Sequence, residues 1–208
     1  MATPLVIVGA GGFGRETHDI VEAINQSSLN PLERIDFLGF IDNHVALPEL
    51  LASRGPLLGG DEILERLPAG TRYVIAIGSG SARRELDKRA TALGLEPATL
   101  IHPAATMGNH NVIIGPGSII CSHVSLTTDI RIGRHVHLNL NVTVGHDAAL
   151  HDYVTVNPGA TISGAVTLEH EVTVGTGAAI IQGLSVGARS MIGGAGRSIG
   201  KRAVDVTG

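Results

Sequence analysis

The sequence predicts two architectures in one chain. Residues 1–102 read as a small α/β domain with a Rossmann-like parallel sheet, and residues 103–208 as a left-handed parallel β-helix of hexapeptide repeats. Three observations predict this. An aliphatic residue recurs every six positions from Ile114 to Ile192. Strand-like and helix-like segments alternate ahead of that repeat. Finally, 28 glycines accompany only 2% aromatic residues and no Trp, a composition suited to thin stacked layers of Val and Ile.

The repeat is the strongest signal. Stepping by six from Ile114 meets Ile120, Leu126, Ile132, Leu138, Val144, Leu150, Val156, Ile162, Leu168, Val174, Ile180, Val186 and Ile192. At 43% hydrophobic composition, chance alone gives such a column on the order of one time in 10⁵. Four residues later runs a second column, Ser118, Val124, Ile130, Val136, Val142, Ala148, Val154, Ala160, Val166, Val172, Ala178, Leu184, Ser190 and Gly196. These residues are mostly small or β-branched. Each hexad is then one short strand and one turn, and three hexads close a coil. Glycines after the aliphatic position (Gly115, Gly133, Gly145, Gly175, Gly187, Gly193) are expected to permit the turn dihedrals. No hexad is interrupted, so no long loop is expected to leave the wall.

The elements of the first domain follow in order. Leu5–Val8 is a short apolar run suited to a buried strand. Arg15–Ile24 has helical spacing, and Phe37–Ile41 reads as the second strand. Asp61–Leu67 is a short helix and Tyr73–Ile77 the third strand. Ser81–Leu93 is a helix, with Ser81 as N-cap and Gly94 just past its end. Ala98–Ile101 is a last strand leading into the repeat. Strands alternating with helices predict a parallel sheet.

Composition excludes several classes. A net charge of −4 leaves no basic footprint for nucleic acid. One cysteine, Cys121, forms no internal disulfide and points to a reducing compartment. No signal-peptide pattern precedes Leu5, and no apolar run approaches the ~18 residues of a membrane span. The expectation is a cytoplasmic protein with no membrane insertion.

Gly9, Gly11 and Gly14 fit the G-x-G-x-x-G pattern, after a strand and before a helix. Glycine there lets the backbone approach a pyrophosphate at a helix N-terminus. Asp42, ending the second strand, could accept hydrogen bonds from a ribose or a base. Ten histidines are present, and a histidine on a solenoid wall is expected to be solvated. His146 stands apart, because Asp147 follows it directly. A neighbouring carboxylate fixes an imidazole's tautomer and raises its basicity. Gly164 lies 18 residues on, one full coil, so its N–H is placed as an oxyanion donor. Asn139 lies in the preceding hexad. Cys121 sits in a different column and is not expected to act as a nucleophile.

These residues resemble the bacterial nucleotide-sugar acetyltransferases of the bacillosamine, perosamine and sialic-acid O-acetyltransferase type, within the hexapeptide-repeat transferases. The resemblance covers nearly the whole chain. It rests on GAGGFGRE at 9–16, FLGFIDN at 37–43, YVIAIGSGSARREL at 73–86, IHP at 101–103 and VGHDAALHDYVTVNPGATISG at 144–164. It implies an acetyl-CoA-dependent N- or O-acetyltransferase without a metal. It also implies a homotrimer with active sites between neighbouring β-helices. His146 matches the general base, Asp147 its acidic neighbour, Asn139 an asparagine near the acceptor, and Gly164 the glycine facing the thioester carbonyl. Thr155, Gly164, Thr176 and Gly194 fall where relatives touch CoA. Gly11, Gly12, Phe13, Asp42 and Gly78 fall where they hold the nucleotide-sugar. The chain departs from the pattern in places. Phe13 and Thr155 stand where many relatives have His, Asp147 where some have Glu, and residues 196–208 lack the usual Gly-x-Pro-Ala tail.

Three other readings remain open on the residues, one of them a non-enzymatic trimeric scaffold, against which the His146-Asp147 pair argues. A zinc carbonic anhydrase of the same fold would use three histidines, and His110, His146 and His151 have suggestive spacing. It would lack the Arg-Gly-Asp and Gln-Asp motifs of that family. An NAD-dependent oxidoreductase would use only the first domain, with Asp42 further along than the usual ~20 residues.

Overall fold

The computed structural model describes residues 3–30, 34–45, 47–68, 70–194 and the backbone of 197–198. The chain forms two compact units: one runs to Gly78 and resumes over Ala82–Pro103, and the other joins Ser79–Ser81 to the chain from Ala104 onward.

The first unit is a parallel sheet with helices. Its elements are β1 (Thr3–Val8), α1 (Gly12–Ser27), β2 (Ile35–Ile41), β3 (Leu57–Gly59), β4 (Arg72–Ile75), α2 (Gly80–Ala92, in this unit from Ala82 on) and β5 (Glu96–Pro97). The strands pair in the order β3-β2-β1-β4-β5, all parallel. β1 is central, and Leu5–Val8 are all buried, as a strand covered on both faces requires. Val6, Val8, Ile41, Leu64, Tyr73, Ile75, Ala90 and Leu95 form one apolar cluster. Tyr73 is buried there without cost to its hydroxyl, which donates to Asp87 Oδ1 at 2.6 Å.

Three local expectations change. α2 begins at Gly80, so Ser81 lies inside the helix instead of capping it. The Ser-Gly-Ser run offers two capping serines, and the sequence alone does not choose between them. Ala98–Ile101 is not one strand: Glu96–Pro97 closes the first sheet against β4, and Leu100–Ile101 is a separate strand. Pro97 supplies no N–H, so the chain leaves that sheet as an edge. The short β3 and the 3₁₀ turn at Pro48–Leu51 carry too little apolar pattern to be predicted. The end of α2 is as expected. Gly94 takes φ +76, its N–H bonds Thr91 O, and Leu95 N–H bonds Ala90 O, a Schellman closure.

His18, on α1, is 95% removed from solvent and packs against the Phe37 and Phe40 rings. Its Nδ1 has no hydrogen-bond partner among the described residues. Burial therefore pulls its pKa below the usual 6.5, against the opposing charges of Glu22 and Asp19 and with a smaller push from Arg54. A depressed pKa means the unfolded chain binds the proton more readily. The neutral ring's contribution is full above pH 6.5 and is lost as pH falls toward the folded pKa. The melting temperature should thus fall more steeply below pH 6.5 in the wild type than in His18→Leu. Parallel pH profiles would show the histidine to be inert.

The second unit is the β-helix. Two-residue strands recur every six residues from Ile113–Ile114 to Met191–Ile192. Each as far as Ala179–Ile180 pairs in parallel with the strand 18 residues on, as Ser125↔Thr143↔Thr161↔Ala179 show. Three sheets result, and three corners join them. The fold is the left-handed parallel β-helix expected from the repeat. Both columns point inward: from Ile120 to Ile192 the first is at most 6% exposed, and from Ser118 to Ser190 the second at most 5%. Each buried Val or Ile contributes about 1.5–3 kcal/mol, and no aromatic would fit the layer spacing. Gly196 of the second column and most of the C-terminal tail lie outside the described residues.

The glycine column has a different cause from the one expected. None of Gly115, Gly133, Gly145, Gly175, Gly187 and Gly193 has positive φ. At four of them a Cβ would strike the next coil's backbone: Gly145, for example, would meet Gly164 N at 2.6 Å. They are glycines because stacked coils approach closely. The left-handed residues sit two positions later, at a regular spacing of six that includes Asn111, His123, Asp129, Asn141, Asp147, Ala165 and Glu171. Asn and Asp tolerate that conformation better than most side chains.

Candidate functional site

The chemistry-bearing residues of the first unit gather at the C-terminal edge of its sheet. Gly9–Phe13 follow β1, Asp42 follows β2 and Gly78 follows β4, and these three strands are neighbours. That edge is where open parallel sheets take ligands.

The three fingerprint glycines have separable reasons. Gly9 has φ +104, and a Cβ there would lie 2.8 Å from Ala76 O. A Cβ on Gly14 would collide with Gly9 O, so Gly14 lets α1 approach β1. Gly11 and Gly12 are exposed, and a Cβ on either would meet nothing within 4 Å. No packing demands a glycine at these two positions. Gly11 is the N-cap of α1, with no side chain to cover the helix's first amides. That leaves the helix N-terminus open to an anion. Phe13 is half-buried beside it.

Asp42 has a structural task. Ala10 N–H donates to its Oδ2 at 2.7 Å and His44 N–H to its Oδ1 at 2.9 Å. The carboxylate clasps the glycine turn, and each oxygen keeps a further lone pair for a ligand. Gly78 is held by Arg83, which is fully buried. The Arg83 guanidinium donates to Ile77 O at 2.8 Å and to Gly78 O at 2.9 Å. Sequence reasoning missed Arg83, since an arginine in a helical pattern carries no mark of burial.

In the second unit, His146 and Asp147 form the corner after the strand Thr143–Val144. Asp147 takes the left-handed position with φ 59, and its Oδ2 lies 2.7 Å from His146 Nδ1. Asp147 therefore holds the proton on Nδ1 and leaves the Nε2 lone pair free to accept one. Both side chains are more than half exposed within one chain. Gly164 occupies the same corner one coil on. A Cβ built there would lie 2.5 Å from His146 Nε2, so the imidazole rests over this glycine. The Gly164 N–H makes no hydrogen bond among the described residues. The equivalent amide of another corner, Arg134 N–H, donates at 2.8 Å to the Asp152 carboxylate. Amides in this position thus reach acceptors outside the ladder.

The other expected site residues lie elsewhere on the prism. Asn139 is 7% exposed at the corner after His137–Leu138, where its Nδ2 donates to Val156 O at 3.0 Å. Asn157 does the same one coil on, to Val174 O at 2.9 Å. Thr176 is exposed on that same corner, and a Cβ at Gly194 would lie 3.1 Å from Thr176 O. Thr155 is 4% exposed, in a wall strand that pairs with His137 on one side and Thr173 on the other, on the face that leads into the Asn139 corner. One chain thus gathers His146, Asp147 and Gly164 at one corner and Asn139, Thr176 and Gly194 at another.

The expectation of solvated wall histidines fails at His135 and His137, which are at most 1% exposed. His135 stacks on Tyr153 with ring centroids 5.9 Å apart. A second histidine–carboxylate pair escaped the sequence reading: His170 Nδ1 lies 3.5 Å from Glu171 Oε1. It repeats the His146 register four hexads on, a signal the period could have revealed. Among the described residues, the one trio of potential metal ligands within 4.8 Å of one another is His18, Asp19 and Glu22.

Residues 4–90 match the PglD N-terminal domain model. Over 137 residues the chain is 35% identical to GDP-perosamine N-acetyltransferase of Escherichia coli O157:H7. That match takes in 63% of this chain and spans 57% of the relative's length. PerB from Caulobacter crescentus, solved in complex with CoA and GDP-perosamine, superposes with a TM-score of 0.83 at 26% identity, covering 94% of this chain and 88% of that one. The acetyltransferase domain of PglB from Neisseria gonorrhoeae FA1090, solved in complex with acetyl coenzyme A, gives 0.79 at 27% identity, covering 98% and 93%.

Proposed function

We propose that this chain, which carries a PglD N-terminal domain and is homologous to GDP-perosamine N-acetyltransferase, moves an acetyl group from acetyl-CoA to a nucleotide-linked amino sugar. One observation carries the reading: an imidazole whose Nδ1 is held by Asp147 at 2.7 Å presents its free Nε2 over Gly164. A base beside an uncommitted amide is what acyl transfer needs.

The reaction follows from that arrangement. His146 Nε2 takes a proton from the acceptor amine as its nitrogen attacks the thioester carbonyl. The Gly164 N–H donates to the developing oxyanion. The tetrahedral species collapses and expels the CoA thiolate, which picks up the proton from the imidazolium. Asp147 stabilises that imidazolium and keeps the ring in one tautomer. No covalent enzyme intermediate is needed, and Cys121 is buried away from this corner. Gly11 and Gly12 cradle the acceptor's diphosphate at the start of α1, with Asp42 and Gly78 flanking them.

A complete site needs more than one copy. The proposed CoA contacts Thr176 and Gly194 share a corner with Asn139, and His146 with Gly164 lies on another. A homotrimer of parallel prisms would set one copy's His146 corner beside another copy's Thr176 corner. The thioester donor and the single cysteine favour a cytoplasmic setting. Among the described residues, no helix is long and apolar enough to cross a membrane.

The direct test incubates the purified protein with acetyl-CoA and a panel of GDP-, UDP- and dTDP-linked amino sugars, following free thiol release. Acetylation of one sugar amine is the expected result. Failure to bind acetyl-CoA, judged by an unchanged melting temperature, removes the reading. The nucleotide subsite has its own test. Gly11→Ala should keep the wild-type melting temperature and weaken nucleotide-sugar binding about tenfold, because its Cβ meets only the ligand. Gly14→Ala should lower the melting temperature itself. Equal melting losses in both would mean that Gly11 serves packing after all.

A further inference from the structure

Near the His146 corner lies a cleft of about 200 Å³, lined by Asn111, Ile113, Asp129 and Arg131. We propose that this cleft, one coil before His146, binds the sugar ring of the acceptor, with Asp129 accepting from its hydroxyls and Arg131 donating to them. The proposal rests on the acyltransferase reading above and names the subsite that reading leaves open.

Its place along the axis comes first. Asp129 and Asp147 occupy the same left-handed corner position in successive coils, with φ 56 and 59. Asp147 N–H donates to Thr128 O at 3.2 Å, so the two corners are directly stacked. On the opposite side of His146 the next coil presents Gly164, which the thioester carbonyl occupies. The acceptor therefore leads away from the base toward the coil before, about 5 Å along the axis.

Its chemistry suits a neutral polyol. The Asp129 carboxylate is fixed on both oxygens: Asn111 Nδ2 donates to Oδ1 at 2.7 Å and Thr128 Oγ1 to Oδ2 at 3.0 Å. These two hydrogen bonds, the Asn111 one larger, hold it below the usual carboxylate range. It stays an acceptor, and each oxygen keeps a lone pair facing solvent. The Arg131 backbone N–H is used by the ladder, donating to Ala148 O at 3.0 Å, while its exposed guanidinium makes no hydrogen bond or ion pair among the described residues. Ile113 pairs with Arg131 in register and is 52% exposed, an aliphatic surface for the C–H face of a ring. One fixed carboxylate, one guanidinium and one apolar floor form a balanced donor and acceptor set. A diphosphate would meet the Asp129 charge there and is better served at the α1 N-terminus.

The test separates the sugar's contribution from the nucleotide's. Affinities of GDP-perosamine against GDP, and of a UDP-linked amino sugar against UDP, are measured for the wild type, Asp129→Asn and Arg131→Met. Asn tolerates the left-handed backbone, and Arg131 is exposed, so both variants should melt as the wild type does. The advantage of the preferred nucleotide-sugar over its nucleoside diphosphate should fall about tenfold in each variant. Nucleoside diphosphate and acetyl-CoA affinities should stay put. An undiminished sugar advantage in both variants overturns the proposal. So does a changed oligomeric mass with that advantage intact, which would make the cleft a contact between copies. A wild type that binds acetyl-CoA but gains nothing from either sugar overturns the cleft and leaves acyl transfer standing. A wild type that binds no acetyl-CoA overturns the underlying reading itself.

Discussion

His146→Ala should lower turnover by roughly a hundredfold to ten-thousandfold, the range a positioned general base supplies. The fold should be untouched. His146 is 53% exposed at a corner, and the inward columns that hold the coil, Val144 and Val142, are not altered. The melting temperature and the oligomeric mass are therefore the controls. Affinity for acetyl-CoA should change little, because in the proposed arrangement the thioester rests on the Gly164 amide and not on the imidazole. The loss should appear in kcat more than in KM, as expected for a group that acts only while the proton moves. Asp147→Asn should cost less: the amide can still meet Nδ1, but it neither enforces the tautomer nor stabilises the imidazolium. Retention of most of the activity in His146→Ala would remove the base from this corner. The His170–Glu171 pair would then be the next place to look.

How much of this was legible in the sequence depended on whether a residue's task is local or set by stacking. The inward columns were readable because a period of six with aliphatic residues has one physical solution, and residues from Ile120 to Ile192 lie where the period places them. The reason for Gly145 was not readable. Its neighbour is Gly164 N, contributed by the next coil, and a linear pattern shows no such contact. The left-handed column was visible in principle, because Gly, Asn and Asp recur at its spacing, but Tyr153 and Arg189 also occupy it and blur the signal. The fingerprint glycines were found as a pattern, yet only the structure separates Gly14, which packing demands, from Gly11, which it does not. Asp42 reads from the sequence as a ligand contact, whereas what the structure shows is its clasp on the glycine turn, a task with no mark in the linear pattern. Arg83 gave no signal at all, because burial of a guanidinium depends on two carbonyls that a loop happens to aim at it.

Gly164→Ala tests the other half of the proposed chemistry, and its effect should rival that of removing the base. The added Cβ would lie 2.5 Å from His146 Nε2 and 2.6 Å from Cε1. Something must give, and the cheapest movement is rotation of the exposed imidazole. That rotation breaks the 2.7 Å contact with Asp147 and carries Nε2 away from the acceptor. The same methyl covers the approach of the thioester to the backbone amide. A displacement of about 1 Å at reacting atoms costs on the order of a hundredfold, and loss of an oxyanion donor a further hundredfold to thousandfold where the two are independent. Here one methyl disturbs both, so the effects overlap, and a loss of roughly a hundredfold to a thousandfold is expected. The backbone has no objection to alanine, since Gly164 lies outside the left-handed region. Gly145→Ala supplies the contrast. Its Cβ would meet Gly164 N at 2.6 Å, backbone that no rotation can move aside. That variant should lower the melting temperature before it lowers turnover. If Gly164→Ala instead melted early and kept its kcat, Gly164 would belong with Gly145 as a spacer between coils, and the oxyanion would need another donor.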